Sequence, residues 1–240
     1  MGQPAYHRIL YKISGEALMG EQSFGIDPAM VARVVDDVIA ARDLGVSMAL
    51  VVGGGNIFRG VALASKGADR VTGDHMGMLA IVMNALSLRM AFEDKGVPAT
   101  VLSGLAVPQV CDTFTQRGLL EARDRGDIVI FAGGIGSPYF TSDTAAALRA
   151  AEFQADAIFK GTQVDGIYSA DPKKDKNAER YDALTHKDIL EKRLGIMDAS
   201  AVSLAQDNSI DIVVFSIHKP GELARVLQGQ GRFTRVSSAQ

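Results

Sequence analysis

Three glycines in a row follow a β-branched run in Val51-Val52-Gly53-Gly54-Gly55-Asn56. Residues without a Cβ let the backbone curl tightly and approach a ligand closely. Amides at the carboxyl end of a parallel strand point into the crevice where α/β proteins bind anions, so phosphate is the expected guest. Arg59, a few residues on, is spaced to pair with that phosphate. A second loop, Phe131-Ala132-Gly133-Gly134-Ile135-Gly136-Ser137-Pro138, repeats the arrangement and leads to Thr141-Ser142-Asp143-Thr144 at a helix start. Two such loops on one sheet imply two anionic ligands. Ser142 or Asp143 is expected to cap that helix, where hydroxyls and amides could also hold a nucleotide. Lys12 lies inside the apolar strand Ile9-Leu10-Tyr11-Lys12-Ile13, before Ser14-Gly15-Glu16. A buried ammonium needs an anionic partner. Lys12 therefore either snorkels from an edge strand or grips a phosphate in transfer. Lys160, which ends a strand before Gly161-Thr162, poses the same alternatives.

Other chemistries lack their residues. No Gly-x-x-x-x-Gly-Lys-Ser/Thr occurs, which disfavours a P-loop enzyme. Neither glycine loop completes Gly-x-Gly-x-x-Gly, because Phe58 and Tyr139 stand at the final positions. His7, His75, His186 and His218 show no metal-ligand spacing, and a single cysteine leaves no zinc site to propose, so no side chain is assigned as a direct metal ligand.

The elements that must carry these residues alternate. Residues 8–13, 47–52, 127–131, 157–160 and 212–216 read as buried strands separated by helical patterns, which predicts an α/β fold with a parallel sheet. Between the first two strands Asp27 and Pro28 begin a helix, Val31, Val34, Val35 and Val38 form its apolar stripe, and Gly45 closes it. A second helix is expected over 74–92, capped by Asp74, with Leu79, Val82, Met83 and Leu86 inward; a third begins near Asp143. Residues 171–188 read as a mobile surface excursion, and the tail after Gly229 as partly frayed.

A chain of 240 residues with 47% hydrophobic and 22% charged residues fits one globular domain. The lone Cys111 and an opening without a secretory pattern predict a cytoplasmic location. No uninterrupted apolar run approaches the ~20 residues that span a bilayer, so no membrane is expected. A net charge of −3 without a basic stripe makes nucleic acid a poor partner.

Lys12-Ile13-Ser14-Gly15-Glu16-Ala17-Leu18, Gly53-Gly54-Gly55-Asn56, Gly73-Asp74-His75-Met76-Gly77, the 141–144 segment and residues 160–172 together resemble bacterial UMP kinases of the amino-acid-kinase family, over about residues 8–229. The resemblance implies a three-layer αβα sandwich with a mainly parallel sheet, one domain with acceptor-side and ATP-side lobes, assembled as a homohexamer. It implies transfer of a phosphoryl group from ATP to UMP with Mg2+. Lys12, Ile13, Ser14, Gly15, Gly55, Arg59, Thr162, Tyr168 and Asp171 match the ATP positions. Gly54, Asp74 and Ile135-Gly136-Ser137-Pro138-Tyr139-Phe140-Thr141-Ser142 match the UMP positions, with Asp74 facing the ribose hydroxyls. In relatives Asp143 and Asp198 matter for activity, by orienting lysines or by helping to hold magnesium; Asp198 could equally cap the next helix. Relatives are activated by GTP and inhibited by UTP, and Gly20-Glu21-Gln22-Ser23-Phe24-Gly25 corresponds to a segment tied to the activation.

Two stretches depart from that pattern. Many relatives carry Thr-Gly-Asn where this chain has Ile135-Gly136-Ser137, so the contact that reads uracil is expected to differ. Around Arg89, Met90 and Glu93 stand where polar or basic residues would suit a guanine nucleotide. Two alternatives remain open from the sequence: a family member that phosphorylates a carboxylate or carbamate, against which Asp74 and its glycines argue, and a nucleotide-binding regulator.

Overall fold

Strands β1 (Arg8–Ile13), β2 (Ser47–Val52), β3 (Ala99–Ser103), β4 (Asp112–Thr113), β5 (Ile128–Ala132), β6 (Ala157–Thr162), β9 (Ala183–Thr185), β10 (Asp211–Ser216) and β11 (Phe233–Ser237) form one sheet in the order β4-β3-β5-β2-β1-β6-β10-β11-β9. The computed structural model describes residues 4–58 and 69–238. Seven strands run parallel; β11 turns antiparallel to β10 and pairs in parallel with β9. Their aliphatic runs are buried on both faces, as a parallel sheet covered by two helix layers demands.

One layer holds α1 (Pro28–Arg42), α2 (Arg70–Asp94) and α7 (Glu222–Leu227), which pack on Ile9, Tyr11, Ile13, Leu50 and Phe215. The other holds α3 (Gln116–Asp124), α4 (Ser142–Phe153), α5 (His186–Glu191) and α6 (Ala199–Asp207), which pack on Leu10, Val51, Phe131, Ile158 and Val214. This is the expected three-layer α/β architecture. From β1 the chain proceeds to β2 on one side, and from β6 to β10 on the other. The carboxyl ends of β1 and β6 therefore flank the point where an open α/β sheet binds ligands.

The first βαβ unit matches its sequence signals. Asp27 accepts from the Ala29 amide at 2.9 Å, Pro28 opens α1, the four valines are buried, and Gly45 lies just past the helix with φ 87°. Several expectations are corrected. The second helix begins at Arg70, with Asp69 as its cap accepting from Thr72 N at 2.7 Å, so Asp74 lies inside the helix. Leu79 and Met83 are exposed, leaving Val82, Ala85, Leu88 and Phe92 to face the core. At 25 residues, α2 is long and apolar enough to cross a membrane by length and composition alone, but charged and polar residues interrupt it and one side of it packs on the sheet. Within 171–188 lie β8 (Arg180–Tyr181), which pairs with β7 (Ile167–Tyr168), then β9 and the start of α5. Over its described residues, as far as 238, the tail after Gly229 is not frayed: β11 pairs on both sides and buries Thr234 and Val236.

Candidate functional site

Lys12 is 8% exposed in the central strand rather than at an edge, which removes the snorkelling alternative. It is register partner to Lys160 on the adjacent parallel strand, and both side chains point to the α4 layer. Two ammonium groups so close repel unless an anion lies between them. Asp143 supplies it: one carboxylate oxygen is 2.7 Å from Lys12 Nζ and the other accepts from Lys160 Nζ at 2.9 Å. Burial pushes the Asp143 carboxyl up, but Lys12 and Lys160 outweigh it and hold the group below its ordinary value. Burial and then Lys12 push Lys160 down, with Asp143 and Asp198 opposing. Lys160 also donates to the Ile196 carbonyl.

Asp143 is free for this because Thr141, rather than Ser142 or Asp143, caps α4, accepting from the Asp143 amide at 3.1 Å. Asp198 precedes α6 without a capping bond from its side chain. Its carboxylate instead accepts from the hydroxyls of Thr141 and Thr144, the latter at 3.2 Å. Asp198 thus holds the cap position of α6 through its backbone alone, and its carboxylate is a second one tied to the α4 N-terminus.

The two glycine turns leave neighbouring parallel strands, β2 and β5, on the same edge as the lysine pair. In the first, a Cβ on Gly54 would lie 2.8 Å from the Gly77 carbonyl of α2, so only glycine fits the approach. In the second, Gly133, Gly134 and Gly136 all have positive φ. Between the turns and α2 lies a cavity of ≈ 270 Å³ lined by Gly54, Gly55, Arg70, Asp74, Met78, Ile81, Gly134, Ile135, Ser137, Phe140, Thr141 and Ser142. Asp74 reaches across it: its carboxylate accepts from Arg70 Nε at 2.9 Å and from the Tyr139 amide at 2.8 Å, while the Arg70 guanidinium stacks 5.5 Å from the Tyr139 ring centroid.

A second cavity, ≈ 350 Å³, lies beyond the ends of β6 and β10 and is lined by Asp165, Ser216, His218, Lys219, Glu222, Arg225 and Arg232. Thr162 ends β6, where its hydroxyl donates to the Val164 carbonyl at 2.6 Å. Tyr168 donates to Asp165 at 2.6 Å, and Asp171 accepts from the Lys173 amide at 3.0 Å. Ser14 accepts from the Glu16 amide, opening the one-turn helix Gly15–Leu18 at the end of β1. Residues 20–25 form a largely exposed turn that meets the first glycine turn through Asn56 and Gly25. Arg59 lies outside the described residues. Among the described residues no three acidic, histidine or cysteine side chains converge as a metal site.

Sequence reading missed Arg70 and Asn84. Both sit on α2, and the late start assigned to that helix hid Arg70. Asn84 left only a weak signal, a polar residue where Val82, Ala85 and Leu88 mark a buried face.

A doubly covered parallel sheet with two glycine turns and a lysine–aspartate–lysine cluster at its switch point defines an α/β protein built to hold phosphate groups. The chain belongs to the amino acid kinase family, whose model matches residues 7–216. It is 61% identical over 236 residues to a uridylate kinase of Brucella anthropi, covering 98% of each chain, and 60% identical over 235 residues to one of Rhizobium meliloti, again 98% of each. The fold superposes on the crystal structure of UMP kinase from Ureaplasma parvum with a TM-score of 0.92 at 35% identity, covering 97% of this chain and 99% of that one.

Proposed function

We propose that this chain is a kinase that transfers a phosphoryl group from ATP to UMP, giving UDP and ADP, in pyrimidine nucleotide synthesis in the cytoplasm. The observation that carries the reading is the Lys12–Asp143–Lys160 cluster at the carboxyl edge of the sheet, the edge that also carries both cavities. The named relatives support the choice of acceptor.

In this reading UMP occupies the cavity between the glycine turns, on the acceptor-side lobe. Gly54 and the 135–142 loop face its phosphate and base, and the Asp74 carboxylate exchanges its bond from Tyr139 for the ribose hydroxyls. ATP lies on the other lobe, along residues 12–15, Thr162, Tyr168 and Asp171, with Gly55 shared between the two sites; Arg59, expected to join them, is outside the described residues. Phosphoryl transfer asks a protein to align two phosphates and offset the charge between them. An acceptor phosphate oxygen already attacks, so no general base is assigned. Lys12 and Lys160 face the transferring group, Asp143 keeps them parallel, and Asp198 fixes the α4 N-terminus through Thr141 and Thr144. Mg2+ fits as a cation carried by ATP, because it keeps waters and takes one or two carboxylates rather than a protein cage. Bound there, it offsets charge on the phosphates; Asp143 and Asp198 are the carboxylates within the cluster.

The 20–25 turn, joined to the first glycine turn, is the segment through which GTP would activate, with UTP inhibiting at the UMP cavity. The exposed apolar side of α2 seats a second copy, as a homohexamer requires.

A coupled ADP-release assay tests the reading, with UMP, CMP, dTMP, aspartate, glutamate and carbamate as acceptors, with and without Mg2+, GTP and UTP. UMP is the expected preferred acceptor. Equal or better use of an amino acid or carbamate would overturn the assignment.

A further inference from the structure

Asp74, Gly77, Ile81 and Asn84 share one stripe of α2 at helical spacing, and that stripe faces the first glycine turn. The first three line the acceptor cavity. Asn84, the next along, is wholly buried, and its amide is fully engaged. Nδ2 donates to the Gly53 carbonyl at 2.7 Å and to Asn56 Oδ1 at 2.7 Å, and Oδ1 accepts from Asn56 Nδ2 at 3.0 Å. Asn56, 2% exposed, also donates to the Gly25 carbonyl at 2.9 Å, and the Gly25 amide donates back to the Asn56 carbonyl at 2.8 Å. Burying an amide is costly unless it is paired, and an aliphatic side chain would fill the same space without that demand. What the amide adds is a fixed position for the backbone it grips.

That backbone is the glycine turn. Gly53 is held at one end and Asn56 at the other. Between them Gly54 presses on α2, where a Cβ would come within 2.8 Å of the Gly77 carbonyl. From the opposite side Gly15 closes in, its own Cβ position 2.5 Å from both the Gly53 carbonyl oxygen and Asn56 Oδ1. Glycines have no side chains with which to hold a direction, so their orientation must be imposed from outside.

We propose that Asn84 is a positioning residue for phosphoryl transfer, acting through a buried amide clasp with Asn56. The clasp locks the Gly54 and Gly55 backbone, and with it the alignment of the acceptor phosphate, to the same helix that carries Asp74. Asn84 touches no substrate. The inference rests on the UMP kinase reading and deepens it.

The test compares the unaltered chain with Asn84→Ala, Asn56→Ala and the double variant, each checked for folding by Tm. A misplacement of about 1 Å costs about 10²-fold in rate, so kcat with UMP is expected to fall by about tenfold to a hundredfold. The calorimetric Kd for UMP is expected to change by less than about threefold, since alignment rather than binding is lost. The double variant loses no more than the worse single one, because both break one clasp. Folded single variants with kcat within about twofold of the unaltered chain, or losses that multiply in the double, overturn the inference. If Asn84→Ala does not fold, Asn56→Ser carries the same comparison. Should the unaltered chain not phosphorylate UMP, the functional reading fails on its own. The clasp is then read from hydrogen exchange at the Gly54 and Gly55 amides: faster exchange in the variants supports it, and unchanged exchange removes it.

Discussion

A carboxylate gripped by two ammonium groups holds structure together, under the proposed reaction it also aligns the groups that meet the phosphate, and pH separates the two roles of Asp143. With Asp143 in place, Lys12 and Lys160 sit on adjacent strands at the mouth of the sheet with their charges held forward; without it they repel and splay. Asp143→Asn is therefore expected to lower kcat by about 10²-fold, through lost alignment. It should also cost about 3 kcal/mol in stability, the low end for breaking a buried pair. The folded carboxyl titrates below its ordinary value of 3.8. The unfolded chain thus holds the extra proton as the pH falls, and the stability that Asp143 contributes is present above the ordinary value and lost through the lowered one. The gap in Tm between the native chain and Asp143→Asn should shrink as the pH drops from about 5 to about 3. A constant gap across that range would show that the ion pairs contribute nothing to folding.

At the scale of elements, signals a few residues apart were legible in the sequence, and those that depend on distant partners were not. The strands at 8–13 and 47–52 were placed to the residue, because a buried parallel strand leaves a continuous apolar run. The start of α2 was misplaced because Asp69 and Asp74 both precede apolar helical periodicity, and only the fold shows which of them caps. Strand β11 was unreadable for the same reason. Phe233-Thr234-Arg235-Val236 alternates weakly, and its pairing with β10 and β9 is what buries it. The lysines and glycine turns were visible singly, but sequence alone could not show that Asp143 joins the lysines. Strand β11 yields a prediction of its own. Thr234 accepts from the Ile167 amide at 2.8 Å and donates to the Tyr181 carbonyl, so β11 secures β7 and β8 near the cavity beyond β6 and β10. Ending the chain after Gly229 should give insoluble protein or a Tm lower by more than about 10 °C, since several buried side chains and a whole ladder are lost. A soluble truncated chain with unchanged Tm would mean that β11 is dispensable.

For the whole molecule, α2 is the element that faces two ways. Its inner side reaches from the acceptor cavity to the core. Its outer side presents Met76, Leu79, Met83 and Met90, each at least 44% exposed, in a stripe at helical spacing. An apolar stripe of this length is a poor surface to leave in water and a good one to bury against a second copy of the chain. Because the same helix carries Asp74 and Asn84, pairing through its outer face would stiffen the wall of the acceptor cavity as well as cover the stripe. The double substitution Leu79→Lys/Met83→Lys places two charges in the middle of that face without touching the core. Sedimentation velocity at micromolar concentration should find the native chain assembled and the variant shifted to monomer, with a lower kcat as the helix loosens. A native chain that sediments as a monomer at every concentration, or a variant that assembles as before, would show that α2 does not seat a second copy.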